Sequence, residues 1–146
     1  MSPTVLRPLG SKFLPMASIF TKIINGEIPS YKIAETNDFY AFLDVFPVAK
    51  GHTLVVPKQE VDQFFDLDDE LLARMMPFAK RVAKALKATI PCKRIGVSVI
   101  GLEVPHAHVH LVPLNQMRDI SFEKEKLQLT KEEMEALAKA IQGNFE

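Results

Sequence analysis

One long amphipathic segment divides this chain into two groups of strand-like segments and so limits the folds open to it. Between residues 68 and 89, apolar side chains recur with the 3.6-residue period of an α-helix that buries one face. They are Leu71, Leu72, Met75, Met76, Ala79, Val82, Ala83 and Leu86. Pro77 lies inside this pattern and predicts a kink. The helix needs a second layer of structure to cover its apolar side.

Short segments with strand character lie on both sides of that helix. Before it we predict strands at 31–35, 39–44 and 52–56, and after it strands at 94–100 and 105–113. Because the strands come in groups, they favour an α+β fold with an about five-stranded, mainly antiparallel sheet. They argue against a doubly wound parallel fold.

Two further helices are predicted near the ends of the domain. Ser18 can cap a short helix over 19–24, and Gly26 can end it. Thr130 and Glu133 form a capping box for a C-terminal helix. Its apolar stripe consists of Met134, Leu137, Ala138 and Ile141. The predicted order is therefore helix, three strands, long helix, two strands, helix.

The 146 residues suit a single domain, which we place at 18–146. Residues 1–17 contain three prolines, two basic residues and no acidic residue. They lack the uninterrupted apolar run of about 7–15 residues that a secretory signal needs. We predict a flexible N-terminal extension, with Met16 as an alternative start and a targeting sequence as the alternative interpretation.

Charge and cysteine content exclude several classes of function. The chain has 18 basic and 18 acidic residues, so it lacks the clustered positive charge that binds a nucleic-acid backbone. No apolar run reaches the roughly 20 residues of a membrane helix. The single cysteine, Cys92, rules out an intrachain disulfide and fits a reducing, cytoplasmic compartment. A single nucleotide remains open as a ligand, because it needs only a local site.

Three of the four histidines alternate within five residues, at His106, His108 and His110. If 105–113 is a strand, side chains two residues apart share one face and are spaced about 7 Å along the chain. The residues expected to point to the core instead are Ala107, Val109 and Leu111. Because imidazoles are poor core fillers, three on one face indicate a binding or catalytic surface.

Two kinds of site suit such a cluster. Imidazole is a common ligand of zinc, copper and iron. Neutral imidazole is also a nucleophile and proton carrier, and imidazolium pairs with a phosphate oxyanion. Zinc enzymes often add a carboxylate or thiolate ligand close by, and Glu103 is the only such candidate near the triad. We favour phosphate chemistry that needs neither a metal nor another cofactor, and a metal site stays the alternative.

The segment His106-Ala107-His108-Val109-His110-Leu111-Val112 resembles the signature of the histidine triad superfamily. Residues 18–29 and 42–58 resemble the family's opening and central strands, so the resemblance covers about 18–115. It is closest to small nucleoside phosphoramidate hydrolases and their bacterial relatives. It implies a homodimeric nucleotide hydrolase or transferase that cleaves at the α-phosphate of a nucleoside phosphoramidate or dinucleoside polyphosphate.

The resemblance also implies roles for individual residues. His108 corresponds to the nucleophile that forms a nucleotidyl-histidine intermediate, His106 and His110 to its neighbours that hold the phosphate and orient it, and His52 to a fourth histidine packed against them. Asp44 corresponds to the carboxylate that accepts both ribose hydroxyls, with a turn role as the alternative. The apolar wall of a purine pocket, or ordinary core, is implied for Ile19, Phe20, Ile23, Ile28, Leu43 and Val45.

The segment before the triad departs from the family pattern. The loop from Ser98 is several residues short, Leu102 replaces a common glutamine, and Glu103 replaces a common phosphate-contacting hydroxyl. We keep Ser98, Gly101 and Glu103 as candidate nucleotide contacts. Glu103 is either a general acid with a raised pKa or a solvated loop carboxylate. A nucleotide-binding regulatory module with little turnover is therefore the alternative function.

Overall fold

The structure, a computed structural model, describes residues 17–146. The predicted extension over 1–17 lies almost entirely outside the described residues and stays a prediction. Within residues 17–146, none of the helices has the length and hydropathy that a bilayer crossing requires.

Five strands form one antiparallel sheet, in the order β1-β2-β3-β5-β4. Their bounds are Lys32–Glu35 for β1, Phe39–Leu43 for β2, Thr53–Pro57 for β3, Arg94–Ser98 for β4 and Val109–Leu114 for β5. The first three strands form a meander, and β5 then inserts between β3 and the edge strand β4. This topology confirms the predicted α+β fold.

Three α-helices of residues 17–146 accompany the sheet, with bounds Ile19–Ile24 for α1, Asp69–Thr89 for α2 and Lys131–Gly143 for α3. The Ser18 hydroxyl accepts from the Thr21 amide at 3.0 Å and caps α1. The Thr130 and Glu133 side chains form the predicted capping box of α3. Satisfied N-terminal amides explain why these helices begin where the sequence indicates.

The two faces of the sheet carry different clusters. Along β2, Phe39, Ala41 and Leu43 point into the main core with α2 and α3. Tyr40 and Phe42 point the other way, into a second cluster with Phe20 of α1. This alternation follows from the two-residue repeat of a strand. The side chain of Leu43, which the resemblance implied for the wall of a purine pocket or for ordinary core, is buried in the main core.

The last strand begins four residues later than predicted, at Val109 rather than at 105. The chain before it makes local or loop contacts instead of sheet pairs. The His106 amide donates to the Val104 carbonyl at 2.8 Å, and the Ala107 amide donates to the Val61 carbonyl at 2.7 Å. The alternation of side chains nevertheless persists through this extended segment, since Ala107, Val109 and Leu111 all pack in the main core as predicted.

Gly51 forms the turn that delivers His52 to the sheet. Its φ is +93°, a conformation that L side chains rarely adopt. A Cβ atom there would overlap Ile90 Cδ1 and lie 3.2 Å from Pro113 Cγ. The turn sets the register in which the Asp44 amide donates to the His52 carbonyl at 2.9 Å.

We expect Gly51→Ala to lower the free energy of unfolding by about 2–3 kcal/mol, through backbone strain and overpacking. Urea denaturation measures this change. Gly143→Ala is the matched control, because a Cβ there would meet no atom within 4 Å, and it should be neutral or stabilising by up to about 1 kcal/mol. Identical unfolding midpoints for Gly51→Ala and the parent would contradict the assignment.

Candidate active site

The three triad histidines and His52 converge on the side of the sheet that carries α1. The His108 and His110 ring centroids are 4.9 Å apart, and those of His52 and His110 are 5.2 Å apart. All four rings are buried. The structure therefore brings together the four histidines that the sequence singled out.

The hydrogen bonds of His52 determine which nitrogen of His110 carries a proton. The Val48 amide donates to His52 Nδ1 at 3.1 Å, so this nitrogen holds a lone pair and the proton of neutral His52 is on Nε2. His52 Nε2 then donates to His110 Nδ1 at 2.9 Å. His110 consequently carries its own proton on Nε2, where it can be donated to a ligand.

His108 is oriented by the backbone of the triad itself. Its Nδ1 lies 2.7 Å from the His106 carbonyl oxygen, which can only accept, so Nδ1 carries the proton. The lone pair of neutral His108 is therefore on Nε2. The Phe20 ring packs against the imidazole at 5.0 Å, edge to face. These contacts leave His108 with the tautomer that a nitrogen nucleophile needs.

His106 uses both ring nitrogens for protein contacts. Nε2 donates to the Pro57 carbonyl at 2.8 Å, and Nδ1 accepts from the Ser18 hydroxyl at 2.7 Å. The ring is fully buried. Both ring nitrogens of His106 are thus engaged within the protein, and its carbonyl is the group to which His108 Nδ1 donates.

A carboxylate that sequence analysis missed completes this support. Glu60 Oε1 accepts from the Thr21 hydroxyl at 2.5 Å and from the Ser18 amide at 3.1 Å. Burial acts to raise the pKa of Glu60, but these hydrogen bonds outweigh it and lower the pKa overall. Glu60 thereby ties the start of α1 to His106. No local pattern marks Glu60, because its partners are about 40 residues away in sequence.

Burial keeps the imidazoles of His52, His108 and His110 neutral. It lowers the pKa of His52 to about 3 and that of His110 to about 4, with neighbouring imidazoles adding to the effect. It also lowers the pKa of His108 below its ordinary value, against the opposing hydrogen bond to the His106 carbonyl. At neutral pH all three rings therefore hold the tautomers described above.

Asp44 lies beside the His52–His110 pair at the rim of the site. Its Oδ1 accepts from the Phe46 amide at 2.8 Å, and its Oδ2 is 3.6 Å from His52 Nε2. Burial raises the pKa of Asp44 and the charge of Glu103 adds to the rise, while the hydrogen bond from the Phe46 amide and the charge of Lys126 oppose it. The side chain is 21% exposed, so the carboxylate remains accessible to hydroxyl donors of a ligand.

The alternative of a metal site can be tested on these same residues. Asp44, His52 and His110 each offer a ligand atom, and the three atoms lie within 4.8 Å of one another. A metal would need lone pairs on the facing nitrogens of both histidines. The Val48 amide, however, keeps the proton of His52 on its facing nitrogen. The cluster therefore suits an internal hydrogen bond better than a metal ion.

Comparison with known proteins identifies the family. The model of the HIT domain matches residues 25–117. The chain belongs to the HIT domain family. An adenosine 5′-monophosphoramidase of Saccharomyces cerevisiae is 46% identical to it over 101 residues, which is 68% of this chain and 64% of the yeast protein. A second one, from Schizosaccharomyces pombe, is 33% identical over 132 residues, or 89% of this chain and 99% of that protein.

Solved structures of the family share the fold. The crystal structure of a Hit-like protein from Bartonella henselae superposes with a TM-score of 0.76 at 32% identity, covering 88% of this chain and 96% of that one. The fold of this HIT domain is thus the fold of its structural neighbours.

The residues of this HIT domain that we predicted to contact a nucleotide differ in how far they are buried. Phe20 is buried against the triad, and Ile23 and Ile28 are half-buried. Ile19 and Val45 are exposed. On β2, Phe42 occupies the site-facing cluster that we had assigned to Leu43. Phe20 and Phe42 thus pack together on the side of the sheet that carries the triad, and the contact of these apolar residues with a nucleotide stays a prediction.

The other three candidate nucleotide contacts, Ser98, Gly101 and Glu103, lie at the end of β4 and in the loop that follows it. Ser98 pairs with His110 across β4 and β5. Gly101 adopts a φ of +75° in the loop that follows. Glu103 is exposed, which favours the solvated-carboxylate interpretation over a general acid.

Phe122 is a further side chain at the site that sequence analysis missed. Its ring centroid is 4.6 Å from that of His110 and 5.6 Å from that of His52. The sequence marked 115–129 only as a polar stretch between elements. A single aromatic residue in such a stretch has no periodicity that would reveal its contacts.

Proposed function

We propose that this HIT domain is a nucleotide hydrolase that cleaves nucleoside 5′-phosphoramidates through a nucleotidyl intermediate on His108. The observation that carries the proposal is the hydrogen bond of 2.7 Å from His108 Nδ1 to the His106 carbonyl, which leaves the Nε2 lone pair free for attack. The adenosine 5′-monophosphoramidase of Saccharomyces cerevisiae, at 46% identity, supports the substrate class.

The reaction proceeds in two displacements at the α-phosphorus. His108 Nε2 attacks, the phosphorus–nitrogen bond breaks, and the amine leaves after its nitrogen has taken a proton from solvent. Water then attacks the nucleotidyl-histidine and the phosphorus–nitrogen bond to His108 breaks. A nucleoside monophosphate leaves, neutral His108 is restored, and one proton returns to solvent, which balances the proton taken up in the first step. The Nε2 proton of His110 is available to a phosphoryl oxygen, where charge accumulates in both transition states.

The charge around the site favours an amine over a polyphosphate as the leaving group. Beside the effect of burial, the Glu103 carboxylate raises the pKa of Asp44 and of His108 through its charge. The negative charges of Asp44 and of the exposed Glu103 disfavour a leaving group with several negative charges, while a neutral amine meets no such repulsion. Phosphoramidates therefore rank above dinucleoside polyphosphates as substrates.

The decisive experiment measures turnover of adenosine 5′-phosphoramidate by the purified protein, beside diadenosine tetraphosphate. We expect hydrolysis of the phosphoramidate to adenosine monophosphate and slower cleavage of the tetraphosphate. Binding of adenosine monophosphate with no turnover of either substrate would instead indicate a regulatory module. The rate should survive a chelator. Loss on chelation and recovery with zinc would support a metal site.

We also propose that the domain forms a homodimer through β4 and α2. The edge strand β4 leaves one side of its backbone unpaired within the described residues. Exposed apolar side chains occur on both elements and just after β4: Met76, Val97, Val99 and Ile100. An unpaired edge beside exposed apolar side chains is typical of an interface.

Light scattering at micromolar concentration should give twice the mass of one chain. Val97→Glu should shift the protein toward the monomer, because it places a charge in the apolar part of the interface. A parent protein that scatters as a monomer would contradict the dimer.

A further inference from the structure

We propose that Phe122 is a positioning residue, whose ring excludes water from the His52–His110 hydrogen bond and so keeps the proton of His110 on the nitrogen that faces substrate. The expected effect of Phe122 on catalysis rests on the proposed function. Its expected effect on the hydrogen bond between His52 and His110 does not.

The ring of Phe122 touches both members of the pair. It lies at 60° to the His110 ring and at 69° to the His52 ring, with centroid separations of 4.6 and 5.6 Å. The two histidines are only 8% and 1% exposed. No polar atom of the Phe122 side chain competes for the imidazole nitrogens. The ring therefore covers the pair without disturbing its hydrogen bond.

The segment that carries Phe122 is fastened to the loop that orients His52. The Leu127 amide donates to the Pro47 carbonyl at 2.9 Å. Pro47 precedes Val48, whose amide donates to His52 Nδ1. Lys126 Nζ donates to the Phe122 carbonyl at 2.8 Å and closes the segment on itself. These contacts hold the ring in place over the histidine pair.

The charged and titratable groups around the pair are Asp44, His108, Lys126 and, farther out, Glu103. Asp44 Oδ2 is 3.6 Å from His52 Nε2. Burial is the largest cause of the low pKa of both histidines. The charges of neighbouring imidazoles lower both pKa values further, and the charge of Lys126 also lowers the pKa of His52. Removal of the Phe122 ring admits water and weakens this largest cause.

Protonation of the pair would destroy its geometry. A proton on His110 Nδ1 faces the Nε2–H of His52, so two donors would oppose each other across 2.9 Å. The His110 ring would have to turn, and its Nε2 proton would move away from the substrate. The Phe122 ring thus protects the donor geometry of the site.

The test is a titration of ¹⁵N-labelled histidine side chains by NMR, which needs no catalytic activity. In the parent, His110 should stay neutral down to a pH of about 4. Phe122→Ala and Phe122→Gln should each raise the pKa of His110 by about one unit or more, and Phe122→Leu by much less because leucine still covers the pair. Phe65→Ala is the matched control, since Phe65 is 88% exposed and packs on Phe64.

The kinetic readout uses the same variants. At pH 5, Phe122→Ala should lower kcat by about twofold or more relative to the parent with little change in KM, because a pKa raised by one unit from about 4 leaves His110 half protonated there. Much of the loss should disappear at pH 8, where the pair is neutral again. An unshifted His110 titration in folded Phe122→Ala, or an equal loss of kcat at both pH values, would overturn the proposal. Failure of the parent to hydrolyse phosphoramidates would count against the proposed function alone.

Discussion

His108→Ala should lower kcat for adenosine 5′-phosphoramidate by at least about 10⁴-fold, because it removes the only atom that forms the covalent intermediate. Binding of adenosine monophosphate should change by no more than about threefold, since Asp44 and the apolar wall carry most of the affinity. Steady-state kinetics and calorimetry separate the two effects. His106→Ala should slow the reaction less, because His106 acts through the orientation of His108.

Two further measurements sharpen this prediction. Mass spectrometry of quenched enzyme should find a nucleotidyl adduct on His108, and a secure adduct on another residue would contradict the assignment. Because burial holds the pKa of His108 below its ordinary value of 6.5, the neutral nucleophile should persist as the pH falls. The parent should therefore keep its kcat/KM from pH 8 to about pH 6.5 and lose activity only at lower pH.

Asp44→Ala should weaken the binding of adenosine monophosphate by about 1.5–3 kcal/mol, the usual contribution of hydrogen bonds to a charged group. The carboxylate keeps Oδ2 free of backbone partners and is partly exposed, so both ribose hydroxyls can donate to it. Calorimetry measures the change. Asp44→Asn removes the charge but keeps an oxygen that can accept from the Phe46 amide. It therefore separates the effect of the charge from the effect of the turn contact.

A nucleotide that lacks the 2′-hydroxyl tests the contact between Asp44 and the ribose directly. The parent should bind 2′-deoxyadenosine monophosphate more weakly than the ribonucleotide, while Asp44→Ala should bind both alike. This double comparison isolates the interaction between the carboxylate and the hydroxyl. If the parent does not distinguish the two nucleotides, Asp44 is a turn residue that caps the Phe46 amide and contributes nothing to ribose recognition.

Local patterns in the sequence determined most of the secondary structure and the identity of the chemical groups. The apolar stripe of α2, the capping box at Thr130 and the strands before and after α2 all follow from contacts within a few residues. The alternation of His106, His108 and His110 with core-facing residues is likewise local, and it survives even though the strand begins only at Val109. Such features depend on backbone periodicity, which the sequence shows directly.

Tertiary structure alone decided which of these groups face the site and in what protonation state. Successive residues of β2 face opposite sides of the sheet, so Phe42 packs on the side of the site and Leu43 packs in the main core. The tautomers of His52 and His110 depend on the Val48 amide, 4 residues from His52, and on a hydrogen bond spanning 58 residues. Glu60 reaches Ser18 and Thr21, and Phe122 reaches His52 and His110, only because the chain folds back on itself. Burial and hydrogen-bond direction arise from contacts between distant segments, so no local pattern in the sequence records them.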